Sequence, residues 1–116
     1  MVVDDEPELA AYLAQALQDH HWRVTTASDG VEALEKLYQA GPPDLLVLDL
    51  ALPRMSGMEL ARRVCSRYPG LRIIISTGYN VRLDARQMDE LNVRQVLAKP
   101  YGLDTLIDAA EEAMRR

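Results

Sequence analysis

Asp49 ends the unbroken apolar run Leu45-Leu46-Val47-Leu48 and is followed at short offsets by Pro53 and Gly57. Four consecutive apolar residues predict a strand buried on both faces, the habit of a central strand in a parallel sheet. A carboxylate at the C-terminal end of such a strand lies where open α/β sheets place their ligand sites. Asp4 and Asp5 end a second apolar run, Met1-Val2-Val3, and bring charge to the same edge. Carboxylates gathered this closely repel one another, and a hard divalent cation relieves the repulsion. Two further strand ends supply complementary groups: Ser76-Thr77 a hydroxyl, and Lys99-Pro100 an ammonium. Three acids offset by one divalent cation and one lysine leave a neutral pocket suited to an anionic group. Mg²⁺ combines one or two carboxylates with phosphate oxygens. A lysine and a hydroxyl aimed at phosphoryl oxygens supply the electrostatic stabilisation that phosphoryl transfer needs. Asp49, as carboxylate, has the chemistry to attack phosphorus and form an acyl phosphate.

Such residues need a scaffold, and the hydropathy pattern predicts one. Met1 to Val3 reads as a short strand, followed by a helix from Glu8 to about Asp19 with Leu9, Leu13 and Leu17 on one face. Trp22-Val24-Thr26 alternates as a second strand. Asp29-Gly30 opens a helix with Val31, Leu34 and Leu37 or Tyr38 inward, and Gly41-Pro42-Pro43 closes it. After the Asp49 strand, Met58, Ala61, Val64, Cys65 and Tyr68 keep helical spacing up to Pro69-Gly70. Ile73-Ile74-Ile75 is another unbroken strand. A polar helix follows from about Leu83 to Leu91, with Ala85, Met88 and Leu91 as a thin stripe. Val96-Leu97-Ala98 is the last strand, and Leu103, Leu106, Ile107, Ala110 and Met114 mark the last helix. Strands alternating with helices predict an α/β sandwich on a parallel sheet with right-handed crossovers.

Size and composition narrow the function. The 116 residues suit one domain spanning 1–116, with 48% hydrophobic and 27% charged residues. A net charge of −5 speaks against a nucleic-acid surface or an anionic membrane. Cys65 is the sole cysteine, which excludes an internal disulfide and suits a reducing cytoplasm. No apolar stretch approaches the roughly 20 residues of a membrane span. The chain begins almost inside its first strand, so a truncated first strand and excision from a longer protein are expected.

Along its whole length the sequence resembles the receiver domains of two-component response regulators. The resemblance is carried by Val3-Asp4-Asp5-Glu6, by the segment DLALPRMSG from Asp49 to Gly57, by Thr77-Gly78-Tyr79 and by Lys99-Pro100. It implies a flavodoxin-like (βα)5 three-layer sandwich whose five-stranded parallel sheet has the order 2-1-3-4-5. It also implies roles. Asp49 would accept a phosphoryl group from the phosphohistidine of a histidine kinase or histidine phosphotransfer domain. Asp5, Asp49 and the backbone carbonyl of Ala51 would ligate Mg²⁺ (or Mn²⁺), with Asp4 acting through water. Lys99 would pair with Asp49 at rest and with the phosphoryl group afterwards, across a cis Lys99-Pro100 bond. Thr77 would move to the phosphoryl group and shift the face made by the fourth helix, fifth strand and fifth helix. That face would address an output domain, a downstream protein or a second copy in a homodimer. The parent would be a hybrid sensor histidine kinase or a multidomain regulator.

Two positions depart from the family pattern. Val96 stands where an aromatic switch residue is common. Ala51 offers no side-chain group to orient water, leaving Tyr79 to shield the phosphoryl pocket.

Other readings compete. Asp4-Asp5-Glu6 before Pro7 also fits a helix N-terminus, where acids complement the dipole. Ser76 is the alternative hydroxyl, with Thr77 favoured by the following Gly78. His20 and His21 are read as a helix cap, Cys65 as core, and Tyr101 as packing under the last helix or lining the output face. Trp22, remote from the site, would report poorly on it. The functional rivals are a pseudo-receiver serving as a docking or dimerisation module, and an aspartyl-nucleophile phosphohydrolase. The hydrolase lacks the acid expected two residues after its nucleophile, where Ala51 stands. A receiver is not a conventional turnover enzyme, though it assists its own phosphorylation and dephosphorylation.

Overall fold

The computed structural model describes residues 1–78 and 82–115. Its strands are β1 (Val2–Val3), β2 (Thr26–Ala27), β3 (Leu45–Leu48), β4 (Arg72–Thr77) and β5 (Val93–Ala98). Between and after them run the helices α1 (Pro7–Asp19), α2 (Gly30–Ala40), α3 (Gly57–Arg67), α4 (Ala85–Leu91) and α5 (Leu103–Met114). All strand pairs are parallel, and the sheet order is β2-β1-β3-β4-β5. The flavodoxin-like order expected from the sequence is therefore the one observed.

Alternation along each strand divides the core into two layers. Val2, Leu45, Val47, Ile74 and Leu97 pack against α1 and α5 residues such as Leu13, Leu17, Leu106 and Ile107. Val3, Leu46, Leu48, Ile73 and Ile75 pack with Leu34, Leu37, Leu60 and Val64 of α2 and α3. Leu46, Leu48, Ile73, Ile74 and Ile75 are completely inaccessible, the burial that the two apolar runs predict. Truncating any one of them to alanine would cost about 2–5 kcal/mol.

Local chemistry starts and stops the helices. Pro7 occupies the first turn of α1, and Asp29 and Ser56 cap α2 and α3 by accepting from the amides of Glu32 and Glu59. Gly41, at φ 82°, ends α2. His20 is the C-cap of α1, as its position suggested.

Several elements differ from the sequence expectation. Trp22-Val24-Thr26 does not form a strand, and the ladder holds only Thr26 and Ala27. The amides of His20, His21 and Trp22 fold back onto the carbonyls of Leu17 and Gln18, so the chain is still closing α1 where a strand was expected. Trp22 and Val24 pack half-buried at the margin of the core instead. In α2, Leu37 is the inward residue and Tyr38 is exposed. Cys65 is half-buried rather than core, its thiol donating to the Glu90 carbonyl at 2.8 Å.

β5 begins at Val93, before the expected Val96, and a bulge inserts Arg94 between the partners of Ile73 and Ile74. The extra residue explains why Val93 and Val96, three apart, both face the same layer.

Leu83 lies outside α4, which starts after Asp84 in a capping box with Gln87. Ala85 is exposed, and the stripe is Leu83, Met88 and Leu91, each only partly covered. No residue of α4 is buried. Its amides should therefore exchange with solvent on the order of a thousandfold or more faster than those of β4, given global stabilities of about 5–15 kcal/mol. Hydrogen exchange read by mass spectrometry checks this, and equal protection in the two elements would contradict it.

Candidate phosphoacceptor site

The ladder delivers the site residues to one edge. Asp4 N donates to the Ala27 carbonyl, Asp49 N to that of Val3, and Lys99 N to that of Thr77. Asp4 and Asp49 thus emerge side by side from β1 and β3, while Thr77 and Lys99 emerge from β4 and β5. Asp4, Asp49 and Thr77 are buried, and Asp5 is exposed.

Two buried carboxylates share one ammonium. Lys99 Nζ donates to Asp4 Oδ2 at 2.8 Å and to Asp49 Oδ2 at 3.0 Å. The other oxygen of each acid accepts from a backbone amide two residues on: Asp4 Oδ1 from Glu6 N at 3.0 Å, Asp49 Oδ1 from Ala51 N at 3.1 Å. Burial alone would lower the Lys99 pKa, but hydrogen bonds to and attraction by Asp4 and Asp49 prevail and raise it above its ordinary 10.5.

The pair Lys99–Asp49 was expected. Lys99–Asp4 was not, because β1 and β5 are separated in the sheet by β3 and β4 and only a long side chain spans the gap. Carboxylate oxygens of Asp4, Asp5 and Asp49 lie within 4.8 Å of one another. Hard oxygen donors in a cluster of net negative charge fit a small divalent cation better than a soft one.

The segment after Asp49 is tightly held. Gly57 N donates to the Leu50 carbonyl at 2.9 Å, and a Cβ on Gly57 would stand 2.4 Å from Asp49 O. Met55 N reaches back to Pro53 O at 2.7 Å around Arg54, whose φ is 66°. Arg54 also meets Asp29 at 3.2 Å, joining this loop to the α2 cap. The Glu32 amide, followed by Arg54, holds the Asp29 carboxyl below its ordinary 3.8, although burial opposes the shift.

The Arg54–Asp29 link was missing from the sequence reading, as was a second contact. Ser76 Oγ and Tyr101 Oη are 2.6 Å apart. Burial pushes the Tyr101 phenol above its ordinary 10.0, so at neutral pH it is an un-ionised hydroxyl. Lys99-Pro100 is cis. Val96 is half-buried, and Tyr79 lies outside the described residues. A separate cleft of 480 Å³, among His20, Trp22 and Asp44, opens at the start of the strands, away from these groups.

Parallel strands in this order, with acids and a lysine at their C-terminal edge, define a receiver-type α/β domain. The family model for the response regulator receiver domain matches residues 1–111, and the chain belongs to that family of two-component signalling proteins. It is 32% identical over 116 residues to the probable transcriptional regulatory protein TcrX of Mycobacterium tuberculosis, covering all of this chain and 49% of that protein. It is 32% identical to the response regulator receiver protein CpdR of Brucella abortus, covering 98% of this chain and 94% of that one. The chain therefore spans about half the length of TcrX and nearly all of CpdR. The receiver domain of NtrX from Brucella abortus superposes with a TM-score of 0.87 at 28% identity, covering 98% of this chain and 96% of that one. TrrA from Thermotoga maritima, solved in complex with Mg²⁺ and BeF, gives 0.83 at 29% identity, covering 97% and 95%. Among the described residues, no helix is long and apolar enough to cross a membrane.

Proposed function

We propose that Asp49 is the phosphoacceptor of a cytoplasmic phosphorelay, taking its group from a phosphohistidine on a histidine kinase or histidine phosphotransfer domain. The observation that carries this reading is the shared ammonium: Lys99 holds Asp49 and Asp4 at 3.0 and 2.8 Å, inside a cluster of three acids. Asp4, Asp5 and Asp49, with the Ala51 carbonyl, would hold Mg²⁺ (or Mn²⁺), which when bound neutralises charge on the phosphoryl oxygens.

The chain's own groups account for the rest. A carboxylate oxygen of Asp49 forms a bond to phosphorus as the P–N bond breaks, and the electron pair leaves with the imidazole. Lys99 passes from the Asp49 carboxylate to a phosphoryl oxygen, exchanging one anion for another from its half-buried position. Thr77 donates its hydroxyl to the same group. Because Thr77 ends β4, its displacement pulls on the segment leading to α4. An α4 without a buried residue offers little resistance. The face of α4, β5 and α5 then changes for an output domain, a downstream protein or a second receiver. With alanine at position 51, no side-chain amide or acid there orients a hydrolytic water on the acyl phosphate. The domain assists its own phosphorylation and dephosphorylation and is not a conventional turnover enzyme.

Intact mass after incubation with acetyl phosphate tests the reading. One phosphoryl group should be gained with Mg²⁺, none with a chelator, and none in Asp49→Asn under either condition. Labelling of Asp49→Asn at the parental level would place the acceptor elsewhere. No label on the parent, either from acetyl phosphate or from a phosphorylated histidine domain, would favour a docking module instead.

A further inference from the structure

We infer that Ser76 and Tyr101 form a latch that sets where the Lys99 ammonium sits, making them a positioning pair for phosphoryl transfer to Asp49. The inference rests on the phosphoacceptor reading above and adds to it two residues whose hydroxyls touch none of the acids.

The turn from Lys99 to Tyr101 is fastened to β4 twice. At its start, Lys99 N donates to the Thr77 carbonyl at 2.9 Å. At its end, Tyr101 Oη meets Ser76 Oγ at 2.6 Å, and either oxygen can donate. Both anchors lie on consecutive residues of one strand, so the turn cannot slide along β4 without breaking both. Ser76 is 1% exposed, and its hydroxyl is therefore cut off from solvent on the Tyr101 side. A hydroxyl contact with one buried partner is specific in direction and distance, because Ser76 has no water as a ready substitute for the half-buried Tyr101.

The ring of Tyr101 is held as well. It packs against the layer formed with α1 and α5, and it walls a 460 Å³ cleft that Leu9, Tyr12 and Leu13 of α1 share with Lys99. Lys99 is thus flanked by a strand bond on one side and a clamped ring on the other. Its four-carbon stem would otherwise sample several rotamers, and only some would bridge Asp4 and Asp49. Phosphoryl transfer depends steeply on such placement, since a misplacement near 1 Å costs roughly 10²-fold. Successive residues of a strand point to opposite faces, so Ser76 fixes the strand from one side and Thr77 faces the other. Val96 presents no hydroxyl or ring within β5, and the latch lies beyond the strand, at the turn.

Three variants test the latch: Tyr101→Phe, which keeps the ring, Ser76→Ala, and the double substitution. Two readouts are needed. The first is the rate of labelling by acetyl phosphate at saturating Mg²⁺, at a temperature where every variant is folded. Each single variant should lose about tenfold, a fraction of what full misplacement costs. The double variant should lose no more than either single, because the two hydroxyls act as one unit. The Mg²⁺ concentration at half-maximal rate should stay at the parental value.

The second readout is the ¹H–¹⁵N signal of the Lys99 ammonium, assigned by its loss in Lys99→Met. It should shift or broaden in all three variants. A purely structural role would lower the melting midpoint and move neither readout. A parental rate in Tyr101→Phe, losses that multiply in the double variant, or an unchanged ammonium signal would each overturn the latch. If the parent itself takes up no phosphoryl group, the phosphoacceptor reading fails, and the ammonium signal alone then decides whether the latch positions Lys99.

Discussion

Lys99→Met should destabilise the metal-free domain by about 3 kcal/mol, the cost of leaving buried carboxylates without their cation. Methionine keeps the length and apolar stem of the side chain, so the loss reports on charge more than on packing. Asp4 and Asp49 would each lose a donor at 2.8 and 3.0 Å, and Asp5 would remain close enough to repel both. Denaturant titration in a chelator gives the measurement. Adding Mg²⁺ should recover more stability in the variant than in the parent, because the vacated charge is one the metal replaces. Labelling of Asp49 should still fall roughly 100-fold at saturating Mg²⁺, the scale of losing one preorganised donor to a developing anion.

The pH dependence has a definite sign. The Lys99 pKa is raised above 10.5, so its contribution is complete below that value and is lost only as pH climbs through the higher folded-state pKa. The difference between parent and variant should therefore hold from neutrality to about pH 10 and shrink beyond it. A variant as stable as the parent in chelator would mean that the ammonium does not hold the two acids.

Gly57→Ala should have a comparable effect by a steric route. A Cβ there would stand 2.4 Å from the Asp49 carbonyl oxygen and 2.5 Å from Leu50 Cα, and both are backbone atoms. No rotamer change relieves a clash with backbone, so α3 must withdraw or the segment after Asp49 must bend. Overpacking of this kind costs about 3 kcal/mol. At roughly 4 °C per kcal/mol for a domain near this size, the melting midpoint should drop by roughly 12 °C. Either relaxation also moves Asp49 relative to Lys99, so labelling at low temperature should fall at least about tenfold. Gly70→Ala is the control, because a Cβ at Gly70 meets nothing within 4 Å. Matching melting curves for the two variants would show that the close approach of α3 to Asp49 is absent.

Gly57 was visible in the sequence only as part of the segment running from Asp49. The distance that makes it sensitive was not, because it depends on where α3 lands. The same division recurs across the molecule. Leu45–Leu48 and Ile73–Ile75 announced themselves as buried strands because a parallel sheet covered on both faces accepts apolar residues without interruption. Trp22-Val24-Thr26 misled because alternation was locally sound while the Trp22 amide, after those of His20 and His21, was claimed by the end of α1. The bulge at Arg94 left no mark in the pattern, since one extra residue in a strand is defined only against its partner.

The sequence by itself determined that three acids, a hydroxyl and a lysine end strands of one parallel sheet. Apolar runs mark strand ends locally, and parallel topology sends those ends to a single edge. Only the tertiary structure decided that one ammonium serves both Asp4 and Asp49, that Arg54 reaches Asp29, and that Tyr101 meets Ser76. Those contacts join residues up to 95 positions apart. They depend on twist, register and side-chain reach to within about an ångström, and no periodicity along the chain encodes that distance.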